Sequence, residues 1–337
     1  MGARQATPNR LATIQGLRAI AALGVLFFHI RLIGVGYFGV DIFFVISGFI
    51  VCYVAQRQPN QFLAKRLVRI VPLYWIATLA VITLALIFPS SLQSTAVNAT
   101  AIMKSLLFIP YERSTGIVQP ILFLGWTLNY EMFFYVVFAA SLALWPRQAP
   151  LACSAILIGL CLLGRTADLD LPWSYWCNDR LLEFVAGMAA FWAYSTRHAW
   201  LEAVPTVLAS SLAIASIGVM VLQTTLGLKQ YDVAVCGASS FILVLSALSL
   251  ETRIIVGPTM ILIGDASYSL YLLHPYVVRA IEETVVPLTT FSILTVSAAI
   301  VTIAASIAVA VICYWMLEKP ANTWLRRYLM HVVPRTA

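Results

Sequence analysis

Apolar runs close to twenty residues long recur from one end of the chain to the other, separated by short polar stretches. A helix rises about 1.5 Å per residue, so a run of about twenty residues matches the roughly 30 Å hydrocarbon core of a bilayer. Ten runs are read as spanning helices. The first five cover approximately Ile14–Ile33, Tyr37–Ala55, Ile70–Phe88, Leu122–Trp145 and Leu151–Leu163. The other five cover Leu181–Ser195, Val204–Leu222, Val233–Leu250, Ser267–Ile281 and Phe291–Leu317. The fifth is short and the ninth polar. The pattern predicts an all-α fold, a polytopic membrane helix bundle of about ten transmembrane helices. A single domain over residues 1–337 is expected, with no repeat, low-complexity tail or appended soluble domain.

Two residues that readily ionise interrupt the first run, Arg18 and His29. Eleven helical steps of about 100° make three turns plus roughly 20°, so both side chains share one face, roughly 16 Å apart along the axis. Ala22 and Val25 fill the stripe between them. Burying an Arg at a membrane helix centre costs about 2.5–3.5 kcal/mol on insertion scales, and such groups face a cavity or a partner. Arg18 taken alone reads as an interfacial anchor and His29 alone as a satisfied core histidine. Together they read as one wall of an active-site channel. A signal peptide is not expected here, because the two residues break the run and no convincing cleavage site follows.

Other polar residues fall inside predicted helices. Asp41 opens the second at a depth similar to that of His29 and is placed to orient it or balance its charge, or is a helix-start carboxylate. Glu131 lies about one third of the way along the fourth helix, on an i, i+4, i+8 stripe with Thr127 and Tyr135. Its depth also matches that of His29, so a His–Glu pair is one reading and a structural Glu the other. Arg180 and Glu183 can pair at i, i+3. Ser267, Tyr271 and His274 form a polar stripe ahead of Pro275, and His274 reads as cavity lining more than as catalyst. In the loop before the third helix, Arg66 and Arg69 stand at i, i+3 beside Lys65, a fork suited to phosphates or an ordinary basic anchor. The segment from Arg165 to Arg180 mixes Asp168, Asp170 and Asp179 with Trp173, Tyr175 and Trp176. It suits either sugar stacking or an interfacial aromatic belt. Residues Ile102–Ile109, within the long connection from Pro89 to Ile121, are too short to span.

Composition sharpens this picture. The chain is 61% hydrophobic and 10% charged, with a mean hydropathy of +0.90, which excludes a soluble protein. The net charge of +7 follows from topology: of the 21 Lys and Arg, fourteen fall on the side of the termini and seven on the other. The positive-inside rule then puts both termini in the cytoplasm and the connection Pro89–Ile121 outside. No nucleic-acid motif accompanies the charge, so nucleic acid is not expected as a partner, while membrane lipids are. The six cysteines form no C-x-x-C pair and read as small buried residues, with no metal site and no disulfide framework.

In order and spacing, these residues resemble the membrane acyltransferase-3 family. The resemblance rests on Arg18-x10-His29, the run Gly39–Phe49, Arg66-x-x-Arg69 before Ile70-Val71-Pro72, and Trp126-Thr127-Leu128 with Glu131. It continues through Arg180 to Gly187 and Ser267 to His274, covering essentially the whole chain. The wording around Trp126 to Tyr135 is similar to the exopolysaccharide O-acetyltransferase (ExoZ-type) branch. The resemblance implies an O-acyltransferase of a bacterial inner (plasma) membrane, acting on an exopolysaccharide or other envelope glycan. It implies acetyl-CoA or another acyl-CoA as donor substrate, a glycan or lipid-linked sugar as acceptor, and no permanently bound cofactor. Under it His29 is general base or transient acyl carrier, with Arg18, Glu131 and Asp41 in the catalytic set. Arg66, Arg69 and Lys65 bind the donor, and Arg180, Glu183, Trp126, Tyr271 and His274 are candidates on the substrate side. The competing reading is a transporter or flippase using Arg18, His29 and Glu131 as a proton or substrate pathway, though no inverted repeat supports it. A structural scaffold comes third, disfavoured by the number of buried ionisable groups.

Overall fold

The computed structural model describes residues 11–59, 61–87, 98–228, 232–284 and 292–332. All ten predicted segments are helical. In chain order the helices begin α1 Ala12–His29, α2 Gly39–Arg57, α3 Phe62–Ile87, α4 Ala99–Leu106 and α5 Trp126–Leu144. Next come α6 Ala149–Thr166, α7 Trp173–Trp176, α8 Leu181–Thr196, α9 His198–Ala203 and α10 Thr206–Leu226. The chain ends with α11 Asp232–Ser249, α12 Pro258–Asp265, α13 Ser267–Thr284, α14 Ile293–Cys313 and α15 Lys319–Val332. Among the described residues, 7 helices are long and apolar enough to cross a membrane. The other three predicted spans correspond to α8, α11 and α13, which are shorter or carry the polar residues of the site. The protein is a multi-pass helical membrane protein.

Three boundaries differ from the sequence pattern. The segment Lys65–Arg69 is not a loop: α3 starts at Phe62 and carries the basic residues in its first two turns. Phe62, Arg66 and Ile70 are all buried at i, i+4 and i+8, so the helical period runs straight through the charges. The Phe62 ring anchors this end against Phe138, with centroids 5.1 Å apart. The fifth predicted span is not short, running for 18 residues as α6. The short apolar piece Ile102–Ile109 is largely α4, capped by Asn98 and packed on α3 through a 3.1 Å bond from the Tyr74 hydroxyl to Ser105 O. The first part of the preceding connection, 89–97, lies outside the described residues, as do Arg4, Arg10, Lys229 and Arg335 of the charge count.

α2 is the central helix, packing chiefly against α8 and also against α1 and α11. The α2–α8 crossing depends on two glycines. A Cβ on Gly48 would lie 2.2 Å from Phe184 O, and one on Gly187 would lie 2.0 Å from Val45 O. Small residues at such a crossing let two backbones touch, as membrane helix pairs favour. One hydrophobic cluster surrounds α2, α5 and α8; a second joins Ala22 and Leu26 of α1, and Ile30 just after it, to Leu270 of α13 and Ala298 of α14. The start of α1 is tied to the far end of α11. Glu251 accepts from the backbone N–H of Ala12 at 2.6 Å and of Thr13 at 2.9 Å, supplying the acceptors that a helix start lacks. These contacts set α1 beside α12 and α13, where its polar face meets theirs.

Candidate active site

α1 and α13 run in the same direction, and their polar stripes join in two rungs. At the first, Arg18 donates to Ser267 Oγ at 2.8 Å and to Gln15 Oε1 at 3.0 Å. Gln15 in turn donates to Asp265 Oδ1 at 2.6 Å. At the second, His274 Nε2 lies 3.1 Å from His29 Nδ1. His274 is fully buried, whereas the His29 ring is half-buried.

The partners assign the hydrogens on both rings. His29 Nδ1 is 2.8 Å from Val25 O, and His274 Nδ1 is 2.9 Å from Leu270 O. A carbonyl oxygen only accepts, so each Nδ1 bears the hydrogen of a neutral ring. His274 Nε2 is therefore bare and accepts from His29 Nδ1–H, which it shares with Val25. That leaves His29 Nε2 with a free lone pair, the atom a base or nucleophile needs.

His29 lines a cavity walled by aromatic rings, among them Phe28, Tyr37, Trp126, Tyr130 and Tyr175. The rings brace one another. Tyr37 stacks on Trp126 with centroids 6.3 Å apart, Tyr175 stacks on Tyr130 at 4.5 Å, and the Tyr175 hydroxyl donates to Trp126 O at 2.8 Å. Tyr175 comes from α7, so part of the aromatic-acidic segment reaches the site, while Trp176 stacks outside it on Phe133 and Trp173 is exposed. Arg180 lies against two of these rings, its guanidinium 5.7 Å from the Tyr37 centroid and 5.3 Å from that of Trp126, and sits 3.3 Å from Asp41 and 3.7 Å from Glu183. Burial opposes the charge on Arg180, but Asp41 and Glu183 outweigh it and hold the group above its ordinary value.

On the other side of Tyr271 lies a chamber of about 130 Å³, lined by Arg18, Ser47, Arg66, Arg69, Glu131 and Tyr135 among others. Beyond it, toward the end of the molecule where α2 stops and α3 starts, a cavity of about 210 Å³ is lined by Tyr53, Arg57, Lys65 and Arg326. Arg66 and Arg69 line both cavities, as their shared helix face requires. Arg66 bonds Ile50 O at 3.2 Å, and among the described residues neither it, Arg69 nor Arg18 has a carboxylate within ion-pair distance. Three guanidinium groups and one carboxylate, Glu131, line this chamber, so its charged side chains sum to a positive lining.

The two carboxylates that depth places near His29 are held elsewhere. Glu131 accepts from Ser47 Oγ at 3.0 Å and from the Tyr135 hydroxyl, inside the arginine chamber. Asp41 faces Arg180. Among the described residues, the hydrogen-bond partners of His29 are a carbonyl and an imidazole. Depth along a helix was legible; the rotation that turns Glu131 toward α2 was not.

Several residues of the site escape sequence reading. Ser47 stands in the Gly39–Phe49 run and Gln15 three residues before Arg18, but polar uncharged residues give no signal of their own. Arg57 and Arg326 count there only as basic charge. Glu318 falls one residue past the last predicted span, yet a π-helical turn over Tyr314–Glu318 turns it inward to accept from Ser269 Oγ at 2.6 Å. Ser269 sits two residues from the Arg18 partner Ser267, and the extra residue of the π turn is invisible in an apolar run.

Comparison with known proteins adds an independent line. Residues 11–315 match the family described as an acyltransferase domain, acyltransferase-3. The chain is 35% identical over 298 residues to the exopolysaccharide production protein ExoZ of Rhizobium meliloti (strain 1021), covering 85% of this chain and 89% of that protein. It is 25% identical over 350 residues to the peptidoglycan O-acetyltransferase OatA of Listeria monocytogenes, covering 91% of this chain and 55% of OatA. An O-acetyltransferase OatA of Staphylococcus aureus (strain NCTC 8325 / PS 47) is 29% identical over 149 residues, 39% of this chain and 24% of that protein. No solved structure matches the chain.

Proposed function

The chain belongs to the acyltransferase-3 family and is a membrane O-acyltransferase, and we propose that it moves an acetyl group from acetyl-CoA to a sugar hydroxyl of an exopolysaccharide or other envelope glycan. The observation that carries this reading is the arginine-lined chamber lying directly against the His29 vestibule. A CoA ester brings phosphates, which Arg66, Arg69 and Lys65 are placed to receive, and a thioester arm long enough to reach past Arg18. The aromatic vestibule, with Trp126, Tyr175 and Arg180, offers flat ring faces and a polar edge suited to a sugar.

In the proposed step His29 Nε2 removes the proton of the acceptor hydroxyl as its oxygen attacks the thioester carbonyl carbon. The C–S bond breaks, and the imidazolium returns the proton to the departing thiolate, giving CoA-SH and the O-acyl sugar. Together with Val25 O, His274 favours the His29 tautomer that leaves Nε2 unprotonated. The same Nε2 is the atom that would carry the acyl group if transfer ran through an acyl-histidine. Because acyl-CoA is made in the cytoplasm and does not cross a bilayer unaided, the basic end, with both termini, is assigned to the cytoplasmic side of a bacterial inner membrane. The aromatic end then faces outward.

Purified full-length protein given acetyl-CoA should release CoA-SH in an acceptor-dependent manner, with the acetyl group recovered on the glycan by mass spectrometry. Proton or glycan movement across vesicles without CoA-SH release would instead support the transporter reading, in which Arg18, His29 and Glu131 line a pathway.

A further inference from the structure

The arginine chamber and the aromatic vestibule have two lining residues in common, Val40 and Tyr271. If the donor lies in one and the acceptor in the other, the thioester carbonyl meets the sugar hydroxyl where the two adjoin. Val40 is apolar; Tyr271 is the polar member of the two, and its hydroxyl lies between Thr127, which lines the chamber, and Leu124, which lines the vestibule. It is buried and backed by a second hydroxyl: Thr127 Oγ1 lies 2.8 Å away. Leu124 O is the further acceptor, 3.2 Å from Thr127 Oγ1 and 3.3 Å from the Tyr271 hydroxyl.

Two hydroxyl protons therefore serve one carbonyl acceptor and each other. One arrangement has Thr127 donating to Tyr271, with the Tyr271 proton on a long, weak bond to Leu124 O. That proton can turn to a stronger acceptor at little cost. A carbonyl oxygen gaining negative charge is such an acceptor, and a donor polarised by a hydrogen bond behind it is a better donor. Tyr271 also sits three residues before His274 on α13, with ring centroids 6.4 Å apart, so one helix turn presents both the partner of His29 and this hydroxyl.

We propose that Tyr271 is a catalytic residue, its hydroxyl donating to the thioester oxygen as that oxygen becomes an oxyanion, with Thr127 positioning the phenol. This deepens the acyl-transfer reading and rests on it. As the sugar oxygen adds to the carbonyl carbon, the C=O π pair moves onto oxygen and is held by the Tyr271 O–H. When that pair returns, the C–S bond breaks and the thiolate leaves, taking the proton from His29. Tyr271 keeps its own proton throughout.

The test uses full-length protein in its membrane or detergent. Tyr271→Phe removes one atom and should lower kcat by on the order of 10²- to 10³-fold, the usual effect of losing one oxyanion donor. KM for acyl-CoA and for acceptor should stay near the unmodified values, because the bond forms only in the transition state. Thr127→Val should give a smaller fall of the same kind. Replacing Tyr271 by 3,5-difluorotyrosine keeps the shape but lowers the phenol pKa, and should move the alkaline limb of the pH–rate profile to lower pH. An unchanged kcat in Tyr271→Phe, a loss confined to KM, or an unmoved alkaline limb would overturn the proposal. Absence of CoA-SH release from the unmodified protein would remove the acyl-transfer reading itself, before any variant is compared.

Discussion

His274 Nε2 accepts a hydrogen bond from His29 Nδ1 across 3.1 Å, and each ring also donates Nδ1–H to the carbonyl one turn back on its own helix. A histidine base is more often oriented by a carboxylate, which also stabilises the cation that forms. Here the orienting group is a neutral, fully buried imidazole. Together with Val25 O it favours the Nδ1–H tautomer of His29 without adding a charge to the bundle.

The two rings should therefore respond differently to substitution. His29→Ala should abolish transfer while insertion and yield persist, since the general base itself contributes about 10²- to 10⁴-fold and an acyl-carrier role would be lost entirely. His274→Gln keeps a side-chain acceptor for His29 Nδ1–H and should retain more kcat than His274→Leu, which leaves only Val25 O. Measuring CoA-SH release by all three in well-folded preparations checks the ordering. Full activity in His29→Ala would remove the mechanism.

Arg66→Gln with Arg69→Gln should raise the KM for acyl-CoA and leave that for the acceptor nearly unchanged, because uniform donor binding is what would be lost. Lys65 lies beside them in the same cavity, so the double variant is the informative one. Donor binding by the unmodified protein should also weaken as salt rises, since Lys65 and Arg69 are only half-buried. A rise in acceptor KM alone would place these residues on the other substrate.

The orientation can be read by labelling. All six native cysteines are buried, so a cysteine-free background is a set of conservative small substitutions. Thr115 and Thr323 are exposed at opposite ends of the bundle. In intact cells a membrane-impermeant thiol reagent should label Thr115→Cys, and should reach Thr323→Cys only after the membrane is opened. The reverse pattern would invert the topology.

The α2–α8 crossing should be intolerant of any side chain. Gly187→Ala places a Cβ against the Val45 carbonyl, where the obstacle is backbone and cannot turn aside. The helices must separate, and overpacking of this kind costs about 1–3 kcal/mol or more. The expected result is a lower melting temperature and a loss of monodisperse protein on size exclusion. Gly218→Ala on α10, with nothing within 4 Å of the added methyl, should be neutral and serves as the control.

Local order along the chain was legible before any fold was known. Length and hydropathy yield ten helices, and a period of 3.6 residues puts Arg18 with His29, Thr127 with Glu131 and Tyr135, and Ser267 with Tyr271 and His274 on single faces. These are properties of one helix at a time, set by backbone geometry, and the structure keeps each of them. The i, i+3 approach of Arg180 and Glu183 is of the same kind. What each face meets is a property of two helices, and depends on how each is rotated about its axis. That rotation is set by close contacts such as Gly48 on Phe184 and by ties such as Glu251 on the start of α1, between residues far apart in the chain. For this reason only the tertiary structure could give His29 an imidazole partner, turn Glu131 to Ser47 and Asp41 to Arg180, and bring Glu318 inward on a π turn. The same packing sets Tyr271 between two cavities, a position no periodicity can express.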